Sequence, residues 1–262
     1  MIGLLKNLSS LYYRLFPKLF GFGYNQFKIN IIKKKLKNYS FTLKQYIDER
    51  IVEIPWVIKK LNLHHKKKIL DAGCTLNYAY LIDEILKNEN KLTCVNLYPE
   101  KFADNRTMVS YVQSDITKLN IEDETFDVVT CISVLEHIGF NNEIYDTSGK
   151  KNTDLIMNEN LYLEGIREIK RVLKKKGILY LSIPYGKQAL FNNLQQFGFE
   201  KLKEIIDIFQ PSSHSILYYK YYDDKKKWCE VSSEICMSTL PISNKKNTVI
   251  SANSVALITL SK

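Results

Sequence analysis

Between residues 67 and 184, short apolar runs alternate with amphipathic stretches, and this alternation constrains the fold more than any other feature of the chain. Five runs have the length and composition of strands: KKILDA, KLTCVNL, MVSYVQSD, FDVVTCISV and ILYLSIPYG. Continuously apolar strands that are separated by helices are typical of a parallel sheet covered on both faces. The sequence therefore predicts an α/β fold.

The regions on either side of this core predict further elements. LYLEGIREIKRVLKK has the pattern of an amphipathic helix that ends at Gly177, and EKLKEIIDIF predicts another helix. HSILYYKYY and NSVALITLSK predict two last strands that can pair antiparallel. Upstream, a helical pattern begins near residue 43, and Pro55 is expected to break or restart it. We place an N-terminal helical extension at residues 1–42 and the α/β domain at residues 43–262.

Composition excludes some classes of protein. The chain has 262 residues and a net charge of +10, but 33 of its 38 basic residues are Lys, whereas bidentate recognition of phosphates and bases favours Arg. We read the charge as a lysine-rich habit and expect no nucleic-acid partner. The five cysteines form no CxxC pair, which suits a reducing compartment without disulfides. No apolar run reaches 18 residues, so we expect a cytoplasmic protein.

The N-terminus leaves two interpretations open. Leu4, Leu8, Leu11 and Leu15 recur at helical spacing, and Pro17 is expected to end or kink such a helix. The lysines of IIKKKLKN follow, so residues 1–37 suit a peripheral contact with an anionic membrane at its inner face. The alternative is a helix packed on the domain or on a second subunit, as in a homodimer.

Polar side chains follow four of the predicted strands. Asp71, Gly73 and Cys74 end the first strand, Asn96 ends the second and Asp115 the third, and residues 133–137 follow the fourth. In doubly wound sheets, ligands bind beyond the carboxyl ends of the strands. These residues therefore predict one binding crevice.

The motifs ILDAGC, VNLYP, QSDI, FDVVTCISVLEHIG and REIKRVLKKKGILYLSIPYG occur in this order, and with them the chain from about Arg50 to its C-terminus resembles class I S-adenosylmethionine-dependent methyltransferases. The resemblance implies a Rossmann-like seven-stranded sheet, mostly parallel with an antiparallel C-terminal strand. It also implies S-adenosyl-L-methionine as cofactor and S-adenosyl-L-homocysteine as product.

The resemblance also implies residue roles. Gly73 would let the backbone approach the methionine part of the cofactor, and Asp71 would shape that loop and orient the amino group. Asn96 would bind the ribose, Asp115 would accept from the adenine amino group, and Ile116 would pack near the ring. The other implied cofactor contacts are Arg50, Cys74, Leu97 and Cys131.

Two departures from the family pattern predict weak cofactor binding. Thr75 and Asn77 occupy the second and third glycine positions of the first loop, and Asn96 stands where such enzymes carry an acidic residue. An amide binds a ribose without charge assistance. Taken alone, Asp71 and Asp115 could instead be helix N-caps.

Catalytic residues are expected just after the fourth strand. His137 is the favoured base, with Glu136 beside it, because a hydroxyl acceptor must lose a proton. The alternative is that Glu136 caps a helix and His137 packs beneath the loop. An ExxEH metal motif would need a further Glu, and only His214 or Asp146 could complete such a site, so we expect no metal.

The segments ERIVEIPW, IPYGK, QQFGFEKL and KKKWCE are similar to methyltransferases of bacterial surface-polysaccharide biosynthesis. This resemblance implies a sugar or an activated glycan precursor as acceptor. A lid at residues 140–160 and the facing segment would hold that substrate through Tyr145, Tyr185, Lys187 and Gln196.

The sequence thus predicts O-methylation of a small polar acceptor in capsule or lipopolysaccharide biosynthesis. The first alternative is a non-catalytic scaffold with the same fold. An RNA methyltransferase is a second, although an amino-methylating motif is missing after strand four. A nicotinamide-dependent reductase lacks support because GxGxxG is absent from the first turn.

Overall fold

The computed structural model describes residues 17–37, 48–61, 63–100, 103–142, 157–191, 193–241 and 252–262, with side chains from residue 27 onward. The helices are α1 (Pro17–Leu36), α2 (Arg50–Lys60), α3 (Ala79–Ile85), α4 (Tyr162–Val172), α5 (Phe199–Phe209) and α6 (Ser233–Met237). The strands are β1 (Lys68–Ala72), β2 (Lys91–Asn96), β3 (Val109–Gln113), β4 (Phe126–Ile132), β5 (Leu173–Pro184), β6 (Ala189–Leu190), β7 (Gln195–Gln196), β8 (Ser213–Tyr222), β9 (Lys227–Val231) and β10 (Ser254–Ser261). Short 3-10 turns span Lys87–Glu89, Ile116–Lys118 and Leu135–His137.

The main sheet has the strand order β3-β2-β1-β4-β5-β10-β8-β9. Strands β3, β2, β1, β4 and β5 pair in parallel, and β10 is inserted antiparallel between β5 and β8. The predicted fold class, including the antiparallel C-terminal strand, is confirmed. An eighth strand, β9, extends the predicted seven by pairing antiparallel with β8.

Alternate residues along the strands pack into two hydrophobic cores, one on each face of the sheet. Leu70 and Val129 face a core completed by α4 and α5, whereas Ile69 and Val128 face a second core that includes α2 and α3. This alternation follows from the two-residue period of a strand. Because both faces are buried, the ends of the strands are where a ligand can reach the sheet.

Two boundary predictions were wrong. The helix that we expected to end at Gly177 ends at Val172, because the carbonyl groups of Arg171 and Val172 accept backbone N–H donors from residues 124 and 125. Gly177 lies inside β5. Pro55 lies inside α2 without ending it, so the helix continues despite the one backbone hydrogen bond that a proline removes.

Helix α1 packs against the domain through Ile31 and Ile32, which are buried with residues of α2. An ion pair of 2.9 Å between Lys28 and Asp48 joins the same regions. Residues 1–16 and the expected boundary at residues 42 and 43 lie outside the described residues. In the part of the chain that the structure describes, no helix has the length and apolarity that crossing a membrane requires.

Candidate cofactor-binding site

The carboxyl ends of β1, β2, β3 and β4 surround one pocket of about 340 Å³. Four parallel strands end at the same edge of the sheet, so the polar residues that follow them meet there. The pocket is lined by seven of the residues that the sequence singled out for cofactor or catalysis: Arg50, Gly73, Asn96, Leu97, Asp115, Ile116 and His137.

Gly73 turns the chain away from β1 and needs to be glycine for two reasons. Its φ of +99° is in the left-handed region, and a Cβ atom would lie 2.2 Å from Cγ2 of Val134. The Gly73 N–H donates to the Val95 carbonyl at 2.7 Å, which ties the turn to β2. The loop is therefore held close to the segment that follows β4.

Asp71 supports this loop from below. The side chain is fully buried; its Oδ2 accepts from the Leu76 N–H at 2.7 Å and its Oδ1 from the Thr130 hydroxyl at 3.0 Å. Burial raises the pKa of Asp71 to about 6, and the two hydrogen bonds oppose that rise. A contact between Asp71 and the cofactor amino group stays a prediction.

The residues at the two other glycine positions are held by side-chain hydrogen bonds. The Thr75 hydroxyl lies in the pocket wall and donates to the Ile132 carbonyl at 3.0 Å. Asn77 accepts from the Tyr111 hydroxyl at 2.6 Å. These bonds stabilise the loop in place of the flexibility that glycines would give.

Asp115 has two roles in the structure, one in a turn and one in the pocket wall. Its Oδ1 accepts from the backbone N–H and from the hydroxyl of Thr117, both at 2.8 Å, so it caps the turn Ile116–Lys118. The same side chain lines the pocket and is exposed to it. The N-cap interpretation is thus correct in geometry, and it leaves room for a ligand at the second oxygen.

Asn96 and Leu97 end β2 at the opposite wall. The Asn96 carbonyl accepts from the Ser114 N–H at 3.0 Å, which joins the ends of β2 and β3. The Leu97 side chain is 41% exposed. A half-exposed apolar residue beside an amide is a surface that a partly apolar ligand would cover.

Arg50 reaches the pocket from α2 and is held by a buried network. Its Nη1 donates to Glu53 Oε2 at 2.7 Å and to the Ile132 carbonyl at 3.3 Å. Glu53 Oε1 accepts from the hydroxyls of Ser133 at 2.6 Å and Ser182 at 2.8 Å. Glu53 thus holds the Arg50 guanidinium at the pocket.

Glu136 and His137 lie in the turn after β4 and differ in their surroundings. Glu136 is 3% exposed, and burial raises its pKa to about 8. Burial, helped by the charge of Arg50, lowers the pKa of His137 to about 4. Their nearest polar atoms are 4.0 Å apart. Near neutral pH, Glu136 is therefore mostly protonated and His137 is an uncharged imidazole.

The ring of His137 is oriented by the backbone. Its Nδ1 lies 2.9 Å from the Asn193 carbonyl, and a carbonyl can only accept, so Nδ1 carries the proton and Nε2 holds a lone pair. The ring lines the pocket. Its role as a base stays a prediction.

The structure does not bring every predicted residue to the pocket. Cys131 is fully buried in β4, and burial raises the pKa of its thiol. Cys74 lies in the first loop with a φ of +54°, and its thiol interacts with that of Cys94. Neither is among the described residues that line the pocket.

The predicted substrate residues also lie elsewhere. Tyr185 is fully buried against Tyr218, with ring centroids 5.1 Å apart. Gln196 is 1% exposed because its Nε2 donates to the carbonyls of Lys187 and Thr239 at 2.9 and 3.0 Å. The Lys187 side chain is exposed, and Tyr145 lies outside the described residues. Packing and backbone hydrogen bonds thus already engage Tyr185 and Gln196.

Other pocket residues were missed by the sequence reasoning. Asn142 donates from Nδ2 to the His137 carbonyl at 2.9 Å, and its buried Oδ1 has no hydrogen-bond partner among the described residues. Tyr98 and Phe140 add aromatic surface to the pocket. The signal for Asn142 was its closeness in sequence to His137, but an Asn in a loop has no periodicity that would reveal it.

Among the described residues, no group of three or more His, Cys, Asp or Glu side chains is arranged to hold a metal ion. His214, which could have completed such a site, lies in β8 opposite Leu260. Asp146 lies outside the described residues.

Comparison with known proteins identifies the family of this chain. Residues 63–229 match a family model described as a methyltransferase domain. An uncharacterised protein of Methanocaldococcus jannaschii is 27% identical over 165 residues, 61% of this chain and 62% of that protein. The ubiquinone biosynthesis O-methyltransferase of Rickettsia akari is 27% identical over 101 residues, 34% of this chain and 39% of that enzyme. The chain thus spans less than two thirds of either relative.

Among solved structures, the 1,6-didemethyltoxoflavin-N1-methyltransferase of Burkholderia thailandensis is similar at 13% identity and a TM-score of 0.47, over 78% of this chain and 75% of that one. The family model covers well over half of the chain, in the region that carries all the strand-end motifs. The chain belongs to the methyltransferase domain family, within the class I S-adenosylmethionine-dependent methyltransferases that its motifs resemble.

Proposed function

We propose that the protein transfers a methyl group from S-adenosylmethionine to an oxygen of a small polar acceptor, a sugar or activated precursor in surface-glycan biosynthesis. The observation that carries this proposal is the convergence of Gly73, Asn96, Asp115 and His137 on one pocket of about 340 Å³. These four residues come from the ends of different strands. A purely structural role for each would not require a common cavity.

The pocket suits the cofactor chemically. Asn96 offers an amide for ribose hydroxyls, the second oxygen of Asp115 can accept from an adenine amino group, and Ile116 presents apolar surface for the ring. When bound, S-adenosylmethionine supplies a methyl group activated by a positively charged sulfur. The amide at Asn96 predicts a weaker grip on the ribose than a carboxylate would give.

His137 is the group that would remove the acceptor proton. Since its Nδ1 is engaged by the Asn193 carbonyl, its Nε2 can accept a proton from a hydroxyl in the pocket. Arg50 and burial keep the ring uncharged, because they lower its pKa to about 4. We infer that the base is ready at neutral pH but intrinsically weak, which suits a hydroxyl whose proton leaves as the methyl group arrives.

Fewer observations support the class of acceptor than support the cofactor. Asn142 and His137 provide an amide oxygen and an imidazole for hydroxyl groups, and Tyr98 and Phe140 provide aromatic surface. Aromatic and amide groups together suit sugars. The segments that resemble surface-polysaccharide methyltransferases favour a glycan precursor. The name of the Rickettsia akari relative specifies an O-methyltransferase, although the match is short.

We further propose that the protein works in the cytoplasm and contacts the inner face of a membrane through residues 1–37. Glycan precursors are often carried on lipids, so a peripheral contact would bring enzyme and acceptor together. The basic residues of this segment and its upstream leucine pattern support the contact. Tyr145, outside the described residues, stays a proposed acceptor contact.

Calorimetric titration with S-adenosylhomocysteine tests the cofactor part. We expect binding in the micromolar range for the wild type; no binding at millimolar concentration would contradict the enzyme and favour the non-catalytic scaffold. A second assay tests the acceptor: methyl-labelled S-adenosylmethionine with sugar nucleotides, phosphorylated sugars, phenols and RNA. We expect label on a sugar hydroxyl, lost with His137→Ala. Label on RNA alone would overturn the glycan assignment.

A further inference from the structure

The positive charge of the protein is concentrated at its N-terminus. The first 47 residues contain no Asp or Glu and nine basic residues: Lys6, Arg14, Lys18, Lys28, Lys33, Lys34, Lys35, Lys37 and Lys44. The other 215 residues have 29 basic and 28 acidic side chains, a net +1 of the total +10. Such an asymmetry indicates a polyanionic partner for one region rather than a general habit of composition.

The described part of this region borders a large hollow. A cavity of about 1090 Å³ lies between α1, α2, α3 and the loop that leads into β1. Lys33, Lys34 and Lys37 of α1 and Lys59 of α2 line it. The Lys33 Nζ lies 5.0 Å from the ring centroid of Tyr80, which holds this ammonium at the cavity wall. The hollow is therefore a basic one.

The acidic residues that line the hollow form ion pairs with Arg106 and Lys87. Asp83 pairs with Arg106 at 2.6 Å, and Glu84 pairs with Lys87 at 2.6 Å. These are the acidic side chains among the described residues of the lining. Each has its own cation, so the lysines of α1 and α2 give the hollow an excess of positive charge.

Lys35 follows the lining residue Lys34 on α1 but does not itself line the hollow. Burial, together with the nearby charges of Lys227 and Lys59, lowers the pKa of Lys35 to about 8. Crowded ammonium groups are costly unless an anion lies among them. A bound phosphate would relieve this repulsion.

The hollow is separate from the cofactor pocket. It is lined by residues of α1, α2 and α3, by residues 63 and 64, which precede β1, and by Lys87 and Asn88 of the turn after α3. The cofactor pocket lies beyond the carboxyl end of β1 instead. The two cavities share no lining residue among those described, so a ligand in one leaves the other open.

We propose that this hollow binds the phosphate groups of anionic membrane lipids. Eight of the nine basic residues in the first 47 are Lys, a compact point charge that suits phosphate without reading a base. Phe27, which is 43% exposed, lies on the same face of α1 as Lys34, seven residues later. An exposed aromatic ring beside ammonium groups matches a lipid surface better than an RNA backbone.

This inference rests on the membrane contact within the proposed function and is independent of methyl transfer. Flotation with phosphatidylcholine vesicles, with and without phosphatidylglycerol, tests it without any cofactor. The test variant is Lys33→Gln/Lys34→Gln/Lys37→Gln. The matched control, Lys175→Gln/Lys176→Gln/Lys203→Gln, removes the same charge from exposed positions elsewhere.

We expect the wild type and the control to bind phosphatidylglycerol vesicles, and the test variant to bind about 100-fold more weakly, since each basic residue near an anionic surface strengthens binding by about fivefold. All three proteins should melt at the same temperature, because the substituted side chains are exposed. Raised salt should weaken the wild type more than the test variant, which keeps six of the nine basic residues in the first 47.

Three results would overturn the proposal in different ways. If the wild type does not bind the vesicles, both the lipid site and the membrane contact are ruled out, and the proposal of methyl transfer is unaffected. If the test variant binds like the control, the contact exists but the hollow does not carry it. If the hollow lysines are needed for calorimetric binding of pyrophosphate or RNA but not of vesicles, the ligand is a free phosphate or a nucleic acid.

Discussion

The two sides of the cofactor pocket differ in how well the sequence placed them. On the cofactor side, Gly73, Asn96 and Asp115 lie where strand-end motifs predicted. On the acceptor side, Tyr185 and Gln196 are buried in other contacts. Asn142, which no motif marked, lines the pocket instead. The difference indicates that positions anchored by strand register follow from local sequence, whereas positions in loops depend on how the chain returns.

The largest expected effect concerns the turn that anchors the cofactor side. Gly73→Ala should weaken S-adenosylhomocysteine binding more than 100-fold and lower the free energy of unfolding by about 3 kcal/mol. A Cβ there would lie 2.2 Å from Val134 Cγ2, and φ is +99°. Calorimetry and urea unfolding measure the two effects.

The double variant Gly73→Ala/Val134→Ala is the control for this prediction. It removes the steric clash and keeps the unfavourable φ, so part of the stability should return. Wild-type affinity in Gly73→Ala would mean that the loop beside Val134 does not shape the cofactor pocket.

A second prediction separates the two uses of Asp115. Asp115→Ala should weaken S-adenosylhomocysteine binding by about 30-fold, because a charged acceptor is lost. Thr117→Val removes one donor to the same carboxylate but leaves its pocket oxygen, and should change affinity by less than about threefold. If both variants lose affinity equally in calorimetry, Asp115 acts only as a cap of the turn Ile116–Lys118.

Glu136, in the turn Leu135–His137, gives a pH-dependent prediction. Because burial raises its pKa from the ordinary 4.5 to about 8, the protonated form stabilises the fold below about pH 4.5, and this contribution is lost as pH rises through 8. From pH 6 to pH 8 the wild type should lose about 2 kcal/mol more than Glu136→Gln.

Urea unfolding of both proteins at the two pH values measures this difference. Glu49, whose pKa burial also raises to about 8, is present in both proteins, so its own titration is common to the two pH profiles. Parallel pH profiles for wild type and variant would mean that Glu136 is ionised in the folded protein.

The smallest predicted effect concerns Asn96, which ends β2 where enzymes of this family carry an acidic residue. Asn96→Asp should tighten S-adenosylhomocysteine binding by about fivefold, since a carboxylate accepts from ribose hydroxyls more strongly than an amide does. Asn142→Asp, on the acceptor side of the same pocket, is the matched control and should leave this affinity unchanged. Weaker binding by Asn96→Asp would place the ribose elsewhere.

Much of the fold could be predicted from the sequence, because the spacing of apolar residues and the residues at strand ends are local properties of the chain. The five parallel strands and the antiparallel β10 were predicted, but β9 was missed because KWCEV carries too few apolar residues to stand out. The end of α4 was misplaced because backbone donors from residues 124 and 125, distant in sequence, take the last helical carbonyls.

The candidate site divides in the same way. Arg50 and His137 were found because each flanks a motif, and both line the pocket. Tyr185 and Gln196 were misplaced because their burial depends on contacts with residues 218 and 239, which no local pattern encodes. The concentration of basic residues at the N-terminus can be read from the sequence. The net charge of the whole chain does not reveal it.

The central claim is that the ends of β1 to β4 hold the adenosine and methionine parts of one cofactor. A crystal structure of the protein with S-adenosylhomocysteine tests it most directly. We expect the ligand in the pocket beside Gly73, with its ribose at Asn96 and its adenine amino group at Asp115. An empty pocket with ligand bound elsewhere, or a ligand that leaves Asp115 without contact, would contradict the account.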